Sequence, residues 1–194
     1  MNRRDRRRDA RVVGDLAAFP DLAEVVTASG VVHATARLLD AARNAGARVV
    51  HCTVEFHPDL AGTSFNAPLL AAVRRTGHNL VAGSPGAALV VPLALSDLTV
   101  ARCHGVSPFT GTTLDRILRN LGVGTIVATG VSLNVGVIGL CIEAVNLGYN
   151  VVVATDCVAG VPPSYGQAVL RHALPLLATL ATGTEIAACW TSGR

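Results

Sequence analysis

Residues 124–160 run GTIVATGVSLNVGVIGLCIEAVNLGYNVVVATDCVAG, and few folds accept such a stretch. Thr125 to Thr129 is a short β-branched apolar run closed by Gly130, and Asn150 to Thr155 is a second one closed by Asp156. Continuous apolar runs of this length, without period-2 alternation, suit parallel strands covered on both faces. Between them Val135, Ile138, Ile142 and Val145 recur at helical spacing, and Gly148 stops the helix. The spacing therefore predicts a strand–helix–strand unit with a right-handed crossover and a parallel sheet. In such sheets the ligand crevice lies at the carboxyl ends of the strands. Here that end is the turn Gly130 to Gly136.

The rest of the chain repeats the alternation. Val31 to Ala45 reads as an amphipathic helix stopped by Gly46, and residues 47–54 as the next strand. A short helix is expected around Leu69 to Arg74 and a Gly/Pro-punctuated surface excursion over residues 77–92. Residues 98–102 read as a strand, and Thr112 caps a helix whose Leu114, Ile117, Leu118 and Leu121 face the core. Ser164 to Ala181 reads as a long helix bent at Pro175, and Glu185 to Cys189 as a last edge strand. The expected fold class is α/β, Rossmann-like, three-layer α/β/α with a mainly parallel sheet.

A chain of 194 residues fits one domain with a substantial core. No apolar run approaches membrane-spanning length, no signal peptide is visible, and the five cysteines lack zinc-type spacing. A cytoplasmic protein with reduced thiols is expected. All sixteen basic residues are Arg, and six of them fall within residues 1–11, which carry +4 while the remainder carries −1. Residues 1–11 read as a basic flexible tail and 12–194 as the single domain. Without interleaved aromatics the tail carries no sign of a nucleic-acid partner.

The motif GVSLNVGV, preceded by GTTLDRILRNLGVGTIVATG and followed by EAVNLGYNVVVATDCVAG, resembles the isochorismatase-like hydrolases of the cysteine hydrolase superfamily. The resemblance extends from about Val31 to Trp190. It implies a Rossmann-like fold, a homo-oligomer, a small-molecule substrate, and in most members an Asp–Lys–Cys triad. Gly136 stands where the nucleophilic Cys is expected, Cys103 where the Lys is expected, and the chain has no Lys at all. The Val-Gly-Val at 135–137 resembles the true isochorismatases, a Cys-less branch that hydrolyses a vinyl ether by carbon protonation and water attack. Cys141 lies more than a turn beyond Gly136 and is expected to pack.

The resemblance also implies a first strand at the sheet centre that ends in an acidic residue. Arginines occupy its place, so a strand shortened to about Arg11–Gly14 is expected, flanked by Asp9 and Asp15 with no carboxylate in the expected catalytic place; a gene model lacking its native first strand is a further reading. The candidate catalytic residues are then His104, Cys103 and Asp9. Adjacent residues on an extended segment point to opposite sides, which argues against a direct Cys103–His104 dyad. Glu55, His57, Ser107, Phe109, Ser132, Asn134 and Gly136 are the candidate substrate contacts. Glu55-Phe56-His57-Pro58 resembles a metal motif of the nicotinamidase branch, but one carboxylate and one imidazole make a poor site, and neither a metal nor another cofactor is assigned. The expected function is hydrolysis of a small carboxylate or amide substrate by acid–base chemistry without a thiol. The alternative is an inactive family member that binds a metabolite or serves as an assembly subunit.

Overall fold

The computed structural model describes residues 19–75, 80–192. Five strands alternate with seven helices among them: α1 (Pro20–Ser29), α2 (Val31–Ala45), β1 (Val50–Val54), α3 (Pro68–Arg75), β2 (Leu98–Arg102), α4 (Leu114–Asn120), β3 (Thr125–Val131), α5 (Ile138–Asn146), β4 (Asn150–Ala159), α6 (Pro163–Ala168), β5 (Thr179–Ala181) and α7 (Gly183–Ser192). Every pairing is parallel. β1 pairs with β2 from Val50 opposite Leu98 to Val54 opposite Arg102, and β4 lies between β3 and β5. The parallel α/β architecture expected from the 124–160 stretch is present.

Both faces of the sheet are covered, which is why its strands read as unbroken apolar runs. On one side Ala34 and Leu38 of α2 and Ile186 of α7 pack over Ala154 and Cys157 of β4. On the other, Leu114 and Leu118 of α4 and Cys141 and Ala144 of α5 meet Val100, Ala128, Val151 and Val153. Burying one large aliphatic side chain in such a core contributes about 1.5–3 kcal/mol. Gly46 ends α2 with φ +79°, and Gly148 follows α5 with φ +85°, a region where a side chain costs energy. No single helix among the described residues is long and apolar enough to cross a membrane.

Several expectations need correction. Residues 185–189 are helical, inside α7, and the edge strand is Thr179–Ala181. The cause is a capping box: the Glu185 carboxylate accepts from the Thr182 N–H (2.7 Å), while Thr182 Oγ1 accepts from the Glu185 N–H (3.2 Å). The long helix over 164–181 is broken instead. α6 passes into a π-helical turn at Val169–Ala173 and a 3₁₀ turn at Leu174–Leu176 around Pro175, after which the chain enters β5. Asp156 does not close β4, which runs on to Ala159 across a register shift opposite β3.

The buried face of α5 is also rotated from the expected one. Ile142 and Val145 are exposed, and Val137, Cys141 and Ala144 are buried. Leu133–Val137 forms a π-helical turn ahead of α5, and its wider turn shifts the phase of everything after it. Leu121 is likewise exposed rather than core-facing. The sheet is in two pieces among the described residues, with no pairing between β1 and β3. The first strand expected near Arg11–Gly14 and the basic tail lie outside the described residues.

Candidate active site

The carboxyl ends of β1, β2 and β3 open into a cavity of about 380 Å³, at the small end of the range for small-molecule sites. Val54, Arg102 and Val131, the last residues of the three strands, all line it. The floor is the turn into the α5 helix: Ser132, Asn134, Val135 and Gly136. Phe19 to Leu22 at the start of α1 and Leu69, Leu70 and Val73 of α3 supply apolar walls. Phe56 is almost fully buried and, with Val73 and Leu80, forms the small core that supports the α3 wall. Arg102 and Asp21 are the two charged side chains among the described lining residues.

The turn is held by its backbone. The Ser132 carbonyl accepts from the N–H groups of Val135 (3.3 Å) and Val137 (3.1 Å), which starts the helix at the cavity edge. The Val131–Ser132 peptide bond is cis. Asn134 Nδ2 donates to the Val161 carbonyl at 3.1 Å, while its Oδ1 is enclosed and has no partner among the described residues. A Cβ on Gly160 would stand 2.8 Å from that oxygen and 3.1 Å from Leu133 Cβ, so only glycine allows this approach. At Gly136 a Cβ would meet nothing closer than 3.7 Å. The backbone there has room for a side chain; the sequence supplies none.

The structure brings three of the expected contacts, Ser132, Asn134 and Gly136, into the cavity. The others are engaged elsewhere. Ser107 Oγ and Thr110 Oγ1 both donate to the Glu143 carboxylate on α5, clasping the 107–110 loop to that helix. Burial raises the Glu143 pKa, but these hydrogen bonds outweigh it and hold the group below its ordinary value. Phe109 is buried and stacks on Tyr149 with centroids 5.9 Å apart. Glu55 accepts from Thr53 Oγ1 at 2.8 Å, and exposed His57 donates to Asp59 on its own loop.

Cys103 and His104 turn towards the 62–64 loop rather than the cavity. The Cys103 thiol donates to the Gly62 carbonyl at 3.7 Å, its own carbonyl accepts from Thr63 Oγ1 at 2.7 Å, and His104 Nδ1 accepts from the Ser64 N–H at 3.3 Å. Asp9 lies outside the described residues. Cys141 is fully buried, and burial pushes its thiol pKa up to about 11, as expected of a packing residue. Among the described residues no group of three or more His, Cys, Asp or Glu side chains is arranged to hold a metal ion.

The two charged lining residues escaped the sequence reading. Arg102 ends β2, directly before the Cys103 that stands at the expected Lys position; its Nε donates to the Gly105 carbonyl at 3.3 Å. Burial lowers the guanidinium pKa. The signal was a cation at the carboxyl end of a parallel strand, where crevices form. Asp21 sits in the first turn of α1, a helix announced by Pro20 at its start.

The fold recurs in known proteins. The profile of the Isochorismatase domain matches residues 18–185. The Escherichia coli O157:H7 isochorismatase family protein YecD is 35% identical over 78 residues, which span 40% of this chain and 42% of that relative. An isochorismatase family protein from Burkholderia thailandensis superposes with a TM-score of 0.72 at 30% identity, covering 83% of both chains. One from Desulfovibrio vulgaris gives a TM-score of 0.74 at 26% identity, covering 85% of both. With the matched domain spanning most of its length, the chain belongs to the isochorismatase family and has the hydrolase fold of the cysteine hydrolase superfamily.

Proposed function

We propose that the protein is a hydrolase of the Cys-less, isochorismatase-like branch, acting on a small carboxylate substrate without a covalent thiol intermediate. One observation carries the reading: the head of the α5 helix presents Gly136 to the cavity, and no Cys, His or Lys is among the described lining residues. The thiol route needs a low-pKa cysteine at this helix N-terminus, and Cys141 is buried and raised to about 11.

The chemistry that remains is addition of water under acid–base control. For a vinyl ether, a proton is delivered to carbon, water adds to the resulting oxocarbenium ion, and the hemiketal collapses to a ketone and an alcohol. The helix N-terminus and the turn at Ser132 to Gly136 favour negative charge on the bound molecule. The carboxyl group at the cavity that can donate the proton, when protonated, is that of Asp21; Asp9 lies outside the described residues.

The test is turnover of isochorismate and of a panel of small vinyl ethers and amides carrying a carboxylate, with and without prior iodoacetamide treatment. Turnover of a vinyl ether that survives alkylation is expected, and no turnover of nicotinamide. Failure of the whole panel, or loss of vinyl-ether turnover on alkylation, contradicts the proposal.

A further inference from the structure

We infer that Arg102 is the specificity-determining residue of the cavity, gripping the carboxylate of a small and otherwise apolar ligand. The inference rests on the functional reading only for the location of the site. Four observations on the chain support it.

Arg102 is the one cation among the described lining residues, in a wall built mostly of Val, Leu, Phe and Gly. A partly buried guanidinium is stabilised by an anion, yet among the described residues no carboxylate pairs with it. Its Nε is committed to the Gly105 carbonyl, which fixes the plane of the guanidinium from the protein side. That orientation leaves the paired donors of the two terminal nitrogens for a ligand, and their spacing matches a carboxylate held by two parallel hydrogen bonds.

The apolar lining decides between anions. A phosphate dianion would bring charge and hydration that one Arg cannot offset in such walls, whereas a monoanionic carboxylate on an apolar body satisfies both the cation and the surface. No Lys, His or second Arg is among the described lining residues, so no other cation competes for this part.

The experiment measures binding, so it reads the site whether or not turnover is found. Benzoate, benzamide and benzyl alcohol are titrated calorimetrically into the wild-type protein, Arg102→Gln and Arg102→Lys. Benzoate is expected to bind at least about tenfold more tightly than either neutral analogue, the advantage vanishing in Arg102→Gln and partly surviving in Arg102→Lys. Equal affinity for the three probes, no saturable benzoate binding, or a benzoate preference unchanged in Arg102→Gln overturns the inference. Should Arg102→Gln not fold, phenylglyoxal modification of the wild type, mapped by peptide mass spectrometry, decides the matter. Benzoate but not benzamide should then protect Arg102, and labelling at equal rates in both overturns the assignment. Vinyl-ether turnover with no benzoate preference would leave the proposed function standing and remove this inference alone.

Discussion

Asp97 offers the most quantitative test of how the domain is held together. It sits just before β2, its side chain only 1% exposed, and accepts four hydrogen bonds. Arg43 of α2 donates through Nε (3.2 Å) and Nη2 (2.6 Å), His51 of β1 through Nε2 (2.9 Å), and the Ala94 backbone N–H at 3.0 Å. One carboxylate thus ties α2 to β1 and to the loop entering β2. Asp97→Asn keeps the shape, removes the charge, and turns one acceptor into a donor facing other donors. Breaking a buried ion pair from one side costs about 3–5 kcal/mol, and Arg43, still bonded to Asp40 and the Pro92 carbonyl, recovers part of that. A loss of about 2–4 kcal/mol is expected, which for a chain of this size lowers Tm by roughly 4–16 °C.

The pH dependence has a definite sign. The Arg43 hydrogen bond, against the opposing effect of burial, holds the Asp97 carboxyl well below the usual carboxylate range. A carboxyl depressed in the folded state stabilises fully above its unfolded pKa of about 4 and loses that contribution as pH falls towards the folded value. The gap between wild type and Asp97→Asn should therefore be widest above about pH 5 and narrow steadily in more acid solution. Urea unfolding from pH 7 downwards measures it, with m unchanged. A variant within about 0.5 kcal/mol of wild type at pH 7, or a gap that widens on acidification, refutes the reasoning.

Three further outcomes follow from the same geometry. Gly160→Ala places a methyl 2.8 Å from Asn134 Oδ1, so thermal denaturation should show a loss of about 1–3 kcal/mol, and ligand affinity should fall as Asn134 is displaced. Glu143→Gln weakens the clasp on Ser107 and Thr110; a cost of about 1–2 kcal/mol is expected, with faster hydrogen exchange at the Thr110 amide, which also bonds this carboxylate. Cys141→Ala should lower stability by on the order of 1 kcal/mol and leave kcat unchanged; loss of turnover in a folded variant would contradict its packing role.

Where local chemistry and tertiary packing agreed, the fold was legible in the sequence. β1 to β3 fall on the expected apolar runs, β4 starts on its own and runs four residues further, and the α2 boundaries coincide with Gly30 and Gly46. The turn at Ser132, Asn134 and Gly136 was readable as the cavity floor because parallel sheets place crevices at strand ends. Two failures have definite causes. Residues 185–189 are apolar enough for a strand, but the Thr182–Glu185 capping box, present in the sequence, starts a helix. The α5 face was misplaced because a π-helical turn leaves no mark in hydrophobic periodicity, and it moved Cys141 and Ala144 inward in place of Ile142 and Val145. The site was harder still. Ser107 and Phe109 carry motif positions yet bond or pack within the protein, and Arg102 was hidden because the side chain reaching the cavity is one residue before the expected position.

Hydrolysis at this cavity is proposed to run without a covalent enzyme intermediate. Intact-mass spectrometry on the protein quenched during steady-state turnover tests it directly. The unmodified mass is expected at every time point, with oxygen from labelled water found in the product. A transient species heavier by a fragment of the substrate, mapped to any of the five cysteines, would contradict it.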